Sequence, residues 1–298
     1  MAFGTARAPQ EQRYRLAGIV GLCLALVAGA VCAQTAAPGA PAPQRAADGT
    51  EIPVTAPPEV APSELAKISP LCEAPFGDIA TPTPLPQLAQ VLERKGEIRV
   101  LAIGSSSTVG VGSSKPAHNY PNQLGGILKK NFADLNLKII NKGVSGEVSA
   151  QTAERMRRLV LMEKPTMVLW QVGTNDALAR VPAEDFKATV VETIRWLKQH
   201  DIDVVLVGLQ YTPHVARDEH YHAVRKALSD AANEERVLLV RRFAAMEFLA
   251  RVRGQPLLGP DELHLNDLGY RCMAEHIARS MVVSMFMRVK PRPKPGQQ

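Results

Sequence analysis

The chain has 298 residues, 46% of them hydrophobic, which is enough for one large globular domain or two small ones. Its net charge of +6 would favour a nucleic-acid partner only if the charge lay on the folded body. Residues 1–33 contribute +2 and the four basic residues within 288–294 contribute +4, so the remainder is balanced. We therefore expect no nucleic-acid partner, and we interpret 289–298 as a solvated basic, Pro-rich tail.

The first 33 residues follow the plan of a secretory signal peptide. Three arginines precede an uncharged apolar run over 16–31, and small residues stand before a cleavage point after Ala33. This pattern predicts Sec-type export and a periplasmic or secreted protein. The run is also close to the ~20 residues that span a bilayer, so an uncleaved segment that tethers the chain to a membrane is the alternative.

Residues 34–87 are rich in Ala and Pro and show little hydrophobic periodicity, which predicts an extended linker. Of the four cysteines, only Cys72 and Cys272 lie beyond the predicted signal peptide. In an oxidising compartment they are expected to form one disulfide, which would close a loop of about 200 residues. Two separate buried thiols are the alternative.

From residue 88 onward, apolar runs alternate with amphipathic stretches. The runs are typical of buried strands and cover 98–103, 137–140, 167–172, 204–209 and 237–240. The helical patterns between and after them cover 120–132, 149–162, 182–200, 215–236 and 266–287. The alternation predicts one domain over 88–288, a three-layer α/β/α sandwich with a five-stranded parallel sheet. Functional groups of such sheets gather at the carboxyl ends of the strands.

Four polar segments fall at these strand and helix boundaries. Gly-Ser-Ser-Ser at 104–107 is a turn that can hold a small hydroxyl side chain at the edge of a cleft. The segments at 141–147 and 173–176 offer a glycine amide and an asparagine amide toward a developing oxyanion. Asp-Glu-Leu-His at 261–264 places a carboxylate three residues before an imidazole. Each segment alone is also ordinary turn or cap chemistry.

Together and in this order, the segments resemble the four sequence blocks of the SGNH, or GDSL-type, hydrolases, a family of esterases and lipases, over about residues 97–285. The resemblance implies a flavodoxin-like fold and an ester-hydrolysing serine enzyme that needs no cofactor and no metal. It implies that Ser106 is the nucleophile and that Asp261 and His264 activate it. The implied oxyanion donors are the backbone N–H of Ser106, Gly146 and the side chain of Asn175.

The segment at 104–107 departs from the usual Gly-Asp-Ser-Leu of the family. Ser105 stands where the family has aspartate, and three adjacent serines leave the register of the nucleophile to be decided. Ser106 is the one that keeps the family's spacing from Gly104 and to Thr108, so we choose it.

The expected function is that of an exported serine esterase. It would hydrolyse carboxylic esters, such as O-acyl groups of an envelope glycan or lipid, through an acyl-enzyme on Ser106. An O-acyltransferase that uses the same site and a non-catalytic envelope binding protein are the alternatives. The loops that select the substrate cannot be derived from one sequence, so substrate and acyl-chain length stay undetermined.

Three further groups of residues have a structural and a functional interpretation. A dense polar cluster follows the fourth strand and is typical of a solvated helix start, although its residue types also bind metals. The two tryptophans are predicted to belong to the core. A short segment before the first long helix would either line the acyl pocket or simply begin that helix. The three groups are His214, Asp218, Glu219, His220 and His222; Trp170 and Trp196; and His118, Asn119 and Tyr120.

Overall fold

The structure is a computed structural model, and it describes residues 67–132 and 134–287. The predicted signal peptide, the linker up to residue 66 and the tail at 289–298 lie outside the described residues. Within the part of the chain that is described, no helix is both long and apolar enough to cross a bilayer.

A six-stranded sheet forms the centre of the fold, with the strand order β1-β6-β5-β4-β2-β3. Neighbouring strands are parallel, except that β1 runs antiparallel to β6 at the edge. The middle strands are buried almost throughout because helices cover both faces, which explains why they consist of continuous apolar runs. The strands are β1 (Ala80–Thr81), β2 (Ile98–Gly104), β3 (Leu137–Gly143), β4 (Met167–Gln171), β5 (Asp203–Val207) and β6 (Leu238–Val240).

The helices complete a three-layer α/β/α sandwich, so the predicted fold class is confirmed. Helix α10 packs beside α4, and α7 packs between α5 and α8. The helices are α1 (Phe76–Ile79), α2 (Pro86–Glu93), α3 (Ser106–Val109), α4 (Tyr120–Asn131), α5 (Ser149–Glu163), α6 (Thr174–Leu178), α7 (Ala183–Gln199), α8 (Glu219–Glu235), α9 (Arg242–Arg251) and α10 (Asp267–Phe286). All five predicted long helices are present. Helix α8 begins later than expected because Asp218 caps it, accepting a hydrogen bond from the Tyr221 N–H at 3.0 Å.

The five predicted parallel strands are all present. The sheet has six strands and not the predicted five, because β1, which lies upstream of residue 88, adds one at the edge. The chain just before it contains a 3-10 helix at Pro70–Cys72, followed by α1. Cys72 forms the expected disulfide with Cys272 of α10, with a Cα–Cα distance of 4.8 Å. The packed part of the chain thus starts well before the predicted domain start. The buried side chains before residue 88 are scattered among prolines and give no periodic signal; they are Cys72, Ile79, Ala80 and Leu85.

A buried carboxylate joins this upstream part to the sheet. Asp203 begins β5, is only 6% exposed, and accepts a hydrogen bond from the Leu88 N–H of α2 at 2.8 Å. Burial of the carboxylate raises the pKa of Asp203 to about 6, against an unperturbed 3.8, because the charged form loses hydration. Trp170 is fully buried in β4 and Trp196 packs against the core from α7, in agreement with the predicted core positions.

Candidate active site

The sheet brings three of the four polar segments to one edge. Strands β2 and β3 are aligned from Ile98 to Gly104, and β4 pairs with β2 on its other side. The segments that follow these strands therefore lie next to one another at their carboxyl ends. The fourth segment, directly before α10, lies against the loop that follows Ser106–Val109, where a Cβ on Gly112 would lie 3.1 Å from the Cβ of His264.

The turn after β2 has distinct roles for its three serines. Gly104 approaches β4 so closely that a Cβ there would lie 2.5 Å from the Gln171 carbonyl oxygen, so no other residue fits. Ser105 is buried, and both its N–H and its hydroxyl donate to Gln171 Oε1 at 3.0 Å. Ser107 is buried as well, whereas Ser106 is only half-buried at the start of α3. Ser106 is thus the serine whose side chain remains accessible.

Ser106, His264 and Asp261 form a hydrogen-bonded series. Ser106 Oγ and His264 Nε2 lie 3.1 Å apart, and His264 Nδ1 lies 2.5 Å from Asp261 Oδ2. The other carboxylate oxygen accepts the backbone N–H of Leu263 at 3.1 Å and of His264 at 2.9 Å. The hydrogen bond to His264, together with these N–H donors, lowers the pKa of Asp261 to about 2. An ionised Asp261 can thus orient the imidazole and stabilise it once it carries a proton.

The other two predicted oxyanion residues, Gly146 and Asn175, lie in the segments that follow β3 and β4 at this edge. Gly146 adopts a positive φ of 83°, and an added Cβ would meet no atom within 4 Å, so the space above it is open. Asn175 Nδ2 donates to the Glu147 carbonyl at 2.8 Å. A side-chain amide carries two N–H groups, so one hydrogen fixes the side chain and the other is available to a ligand oxygen. The arrangement is suited to stabilising negative charge on an oxygen.

Two ion-pair and hydrogen-bond clusters that support these loops were not found from the sequence. Arg155 of α5 makes a bidentate pair with Glu147, at 2.8 and 2.6 Å. Asp176 accepts both the N–H and the hydroxyl of Ser149, at 2.8 and 2.5 Å, and thereby joins α6 to α5. Burial of Asp176 raises its pKa. Glu147 lies before α5, and Ser149 pairs with a residue 27 positions away, so neither contact lies within one helix and periodicity gives no sign of them.

The segment before α4 was predicted either to line the acyl pocket or simply to begin that helix, and its three residues differ in this respect. Asn119 caps α4 by accepting the Asn122 N–H at 3.0 Å, and Tyr120 is fully buried with its hydroxyl 3.1 Å from Thr108 Oγ1. These two residues are structural. His118 lies nearer the surface, with Nδ1 2.7 Å from Asp267 Oδ2 at the start of α10, and so attaches the loop after α3 to the helix that follows His264.

The polar cluster after β5 is dispersed. His214 Nε2 contacts Glu262 at 2.7 Å, and His222 Nε2 contacts the Ala216 carbonyl at 3.0 Å. Asp218 pairs with Arg180 at 2.7 Å. In the described part of the chain, no group of three or more His, Cys, Asp or Glu side chains is arranged to hold a metal ion.

A family model described as the non-GDSL lipase-like family matches residues 71–286. The chain belongs to this family. The description agrees with the absence of Gly-Asp-Ser-Leu at 104–107 and with the start of the packed region near Cys72.

Comparison with individual proteins gives the same picture. Esterase TesA of Pseudomonas aeruginosa is 25% identical over 140 residues, which are 46% of this chain and 67% of the relative. A solved two-domain esterase, CEX, active on acetylated mannans, superposes with a TM-score of 0.62 at 22% identity and covers 76% of this chain. This chain spans only 60% of that protein.

An acetyl-xylooligosaccharide esterase from Geobacillus superposes with a TM-score of 0.53 at 20% identity, covering 65% of this chain and 97% of its own. At these identities the solved structures establish a shared fold. The family match and the curated relative confirm the resemblance to SGNH hydrolases and identify the chain as a hydrolase of the ester-cleaving class.

Proposed function

We propose that this protein is an exported serine esterase that removes O-acyl groups, above all acetyl groups, from a saccharide. The observation that carries the proposal is the hydrogen-bonded series from Ser106 Oγ through His264 to Asp261. The residues before 34, with the composition of a signal peptide, support export.

Two half-reactions follow from this arrangement. In the first, Ser106 Oγ attacks the ester carbonyl while its proton passes to His264 Nε2, and Asp261 stabilises the resulting imidazolium. The Ser106 and Gly146 N–H groups and the Asn175 amide receive the oxyanion. Collapse expels the sugar hydroxyl, which takes the proton from His264, and leaves the acyl group on Ser106.

In the second half-reaction a water molecule gives a proton to His264 and attacks the acyl-enzyme. The carboxylic acid leaves, and Ser106 recovers its proton. Every proton transfer uses the same nitrogen, His264 Nε2. The molecule that attacks the acyl-enzyme therefore needs only an O–H group that can give its proton to this nitrogen. Transfer of the acyl group to a sugar hydroxyl in place of water would proceed by the same steps.

The substrate class is supported by the relatives. Two solved structures with this fold belong to esterases described as acting on acetylated mannans and acetyl-xylooligosaccharides. A half-buried nucleophile on a short helix is accessible to esters carried on a bulky polymer. Lipid esters are the competing substrates.

The test uses the purified chain with acetylated manno- and xylo-oligosaccharides, and with p-nitrophenyl acetate, butyrate and octanoate. We expect acetate release, a preference for the acetyl ester, and labelling by a fluorophosphonate probe. Ser106→Ala should abolish all three, whereas Ser280→Ala, which removes a buried hydroxyl on α10, should preserve them. Equal rates for wild type and S106A would overturn the proposal. A preference for octanoate would indicate lipid esters. Acyl groups found on unacetylated mannopentaose, added to the p-nitrophenyl acetate assay as an acceptor, would indicate transfer.

A further inference from the structure

A buried arginine, Arg242, contacts the candidate site from behind. It is the first residue of α9 and is only 2% exposed. Its Nη2 group donates to Ser107 Oγ at 3.1 Å and to Gln210 Oε1 at 2.7 Å. Ser107 directly follows the candidate nucleophile in α3, and Gln210 lies in the segment after β5. One guanidinium nitrogen thus joins helix α3 to the segment after β5.

Gln210 extends this connection to the histidine segment. Its Nε2 donates to the Leu263 carbonyl at 2.7 Å, and Leu263 is the residue before His264. The Gln210 backbone is held at the same time, because its carbonyl accepts the Tyr221 hydroxyl at 2.6 Å. Three hydrogen bonds therefore run from the residue after Ser106 to the residue before His264, by way of Arg242 and Gln210.

The charge of Arg242 is poorly compensated. Its Nε and Nη1 groups are buried without a hydrogen-bond partner among the described residues. Burial lowers the pKa of the guanidinium, and the phenols of Tyr270, Tyr221 and Tyr120 act against that shift. A buried cation without a charge partner destabilises the folded state, and replacing buried charged groups by apolar side chains of similar volume is often neutral or stabilising. A residue retained for stability alone would be apolar at this position.

We propose that Arg242 is a positioning residue: by fixing Ser107 and Gln210 together, it sets the distance between Ser106 Oγ and His264 Nε2. The inference rests on the proposed function. A small displacement of either group lengthens the path of the proton that passes between them, and misplacement by about 1 Å costs on the order of 10²-fold in rate.

The two hydrogen bonds that Arg242 donates can be removed separately while its positive charge is kept. Ser107→Ala removes one acceptor of Arg242, and Gln210→Met removes the link to Leu263 at nearly constant volume. Each should lower kcat and the rate of fluorophosphonate labelling on the order of 10- to 100-fold, with KM changed by less than about twofold. Because the bonds act in series, the double variant should be no slower than the slower single variant.

Ser280→Ala is the matched control, since it deletes an equally buried hydroxyl, one that donates to the His276 carbonyl at 2.7 Å. It should lower stability as much as S107A while leaving kcat unchanged. Arg242→Lys keeps the charge with a single donor group and should recover part of the rate that Arg242→Met loses. If R242M does not fold, S107A and Q210M still decide the question.

Two outcomes would overturn the inference. If S107A and Q210M retain wild-type kcat and labelling rates while the wild type hydrolyses esters, Arg242 has no positioning role and the proposed function stands. If the wild type is neither labelled nor active on any ester tested, the proposed function fails and the inference fails with it.

Discussion

Arg155 and Glu147 form a two-point ion pair, with Nε 2.8 Å from Oε1 and Nη2 2.6 Å from Oε2, and their side chains are only 17% and 12% exposed. The third guanidinium nitrogen, Nη1, donates to the Lys142 carbonyl at 2.8 Å. A single arginine therefore holds both ends of the loop that carries Gly146. The same loop presents the Glu147 carbonyl that orients Asn175.

Replacing this arginine by lysine should weaken the oxyanion site without unfolding the protein. Lysine keeps the charge but cannot make the forked contact with a carboxylate. For Arg155→Lys we expect kcat for p-nitrophenyl acetate to fall on the order of tenfold through misplacement of the oxyanion donors. Arg157→Lys is the matched control, because Arg157 lies on the same helix in an exposed pair with Glu192. Equal kcat values for the two variants would contradict the role of the Arg155–Glu147 pair.

Asn175→Ala should act on the transition state and not on substrate binding. Removal of one oxyanion donor typically costs 10²–10³-fold in kcat, so we expect a loss of about that size with KM nearly unchanged. Steady-state kinetics on acetyl esters provide the measurement. Asn233→Ala, an exposed position on α8, serves as the control. A rise in KM at constant kcat would instead assign Asn175 to substrate binding.

The buried Asp203 predicts a specific dependence of stability on pH. Its folded pKa of about 6 exceeds the unperturbed 3.8, so the folded state retains the proton more tightly than the unfolded state does. The stabilisation is full below about pH 4 and is lost as the pH rises through 6, which amounts to roughly 3 kcal/mol for a shift of this size.

Urea unfolding between pH 4 and 7 tests this dependence. Relative to Asp203→Asn, the wild type should lose stability across that window, because an amide does not titrate. Asp201→Asn is the control: Asp201 is exposed and has a φ of 55°, a backbone conformation that asparagine tolerates well. If the wild-type and D203N stabilities run parallel with pH, the pKa of Asp203 is not raised.

The disulfide between Cys72 and Cys272 should stabilise the fold without taking part in catalysis. It closes a loop of 200 residues, for which chain entropy gives an upper limit on the order of 5 kcal/mol. The double variant C72A/C272A should therefore unfold at lower urea concentration, by up to that amount, and keep its kcat. Wild type assayed in reductant should behave like the variant. An unchanged midpoint under oxidising conditions would show that the bond contributes nothing.

The sequence was informative wherever a local pattern decides the structure. The strands β2, β4 and β5 are largely apolar, and three of the four predicted site segments directly follow β2, β3 and β4. Helix α9 was missed because its sequence, from Arg242 to Arg251, buries a charged residue and shows no regular apolar stripe. Strand β1 was missed because two residues in a Pro-rich segment carry no periodicity.

Supporting contacts were beyond sequence reasoning for a different reason. Arg242 and Ser107 are separated by 135 residues, and Gln210 and Leu263 by 53. Which arginine reaches which loop depends on the order of strands in the sheet, and one sequence does not give that order. The residues proposed to react could be found from their motif, whereas the residues that hold them could not.

Strand β1 pairs with β6, with Ala80 opposite Val240. It therefore covers β6, which would otherwise be an exposed edge strand of the sheet. A version of the protein shortened to begin at residue 88 would leave Cys272 without its partner and the backbone groups of β6 without theirs. Such an exposed edge strand can pair with a strand of a second molecule. Recombinant forms intended for crystallisation or enzymology should accordingly start upstream of Cys72, or self-association will confound both.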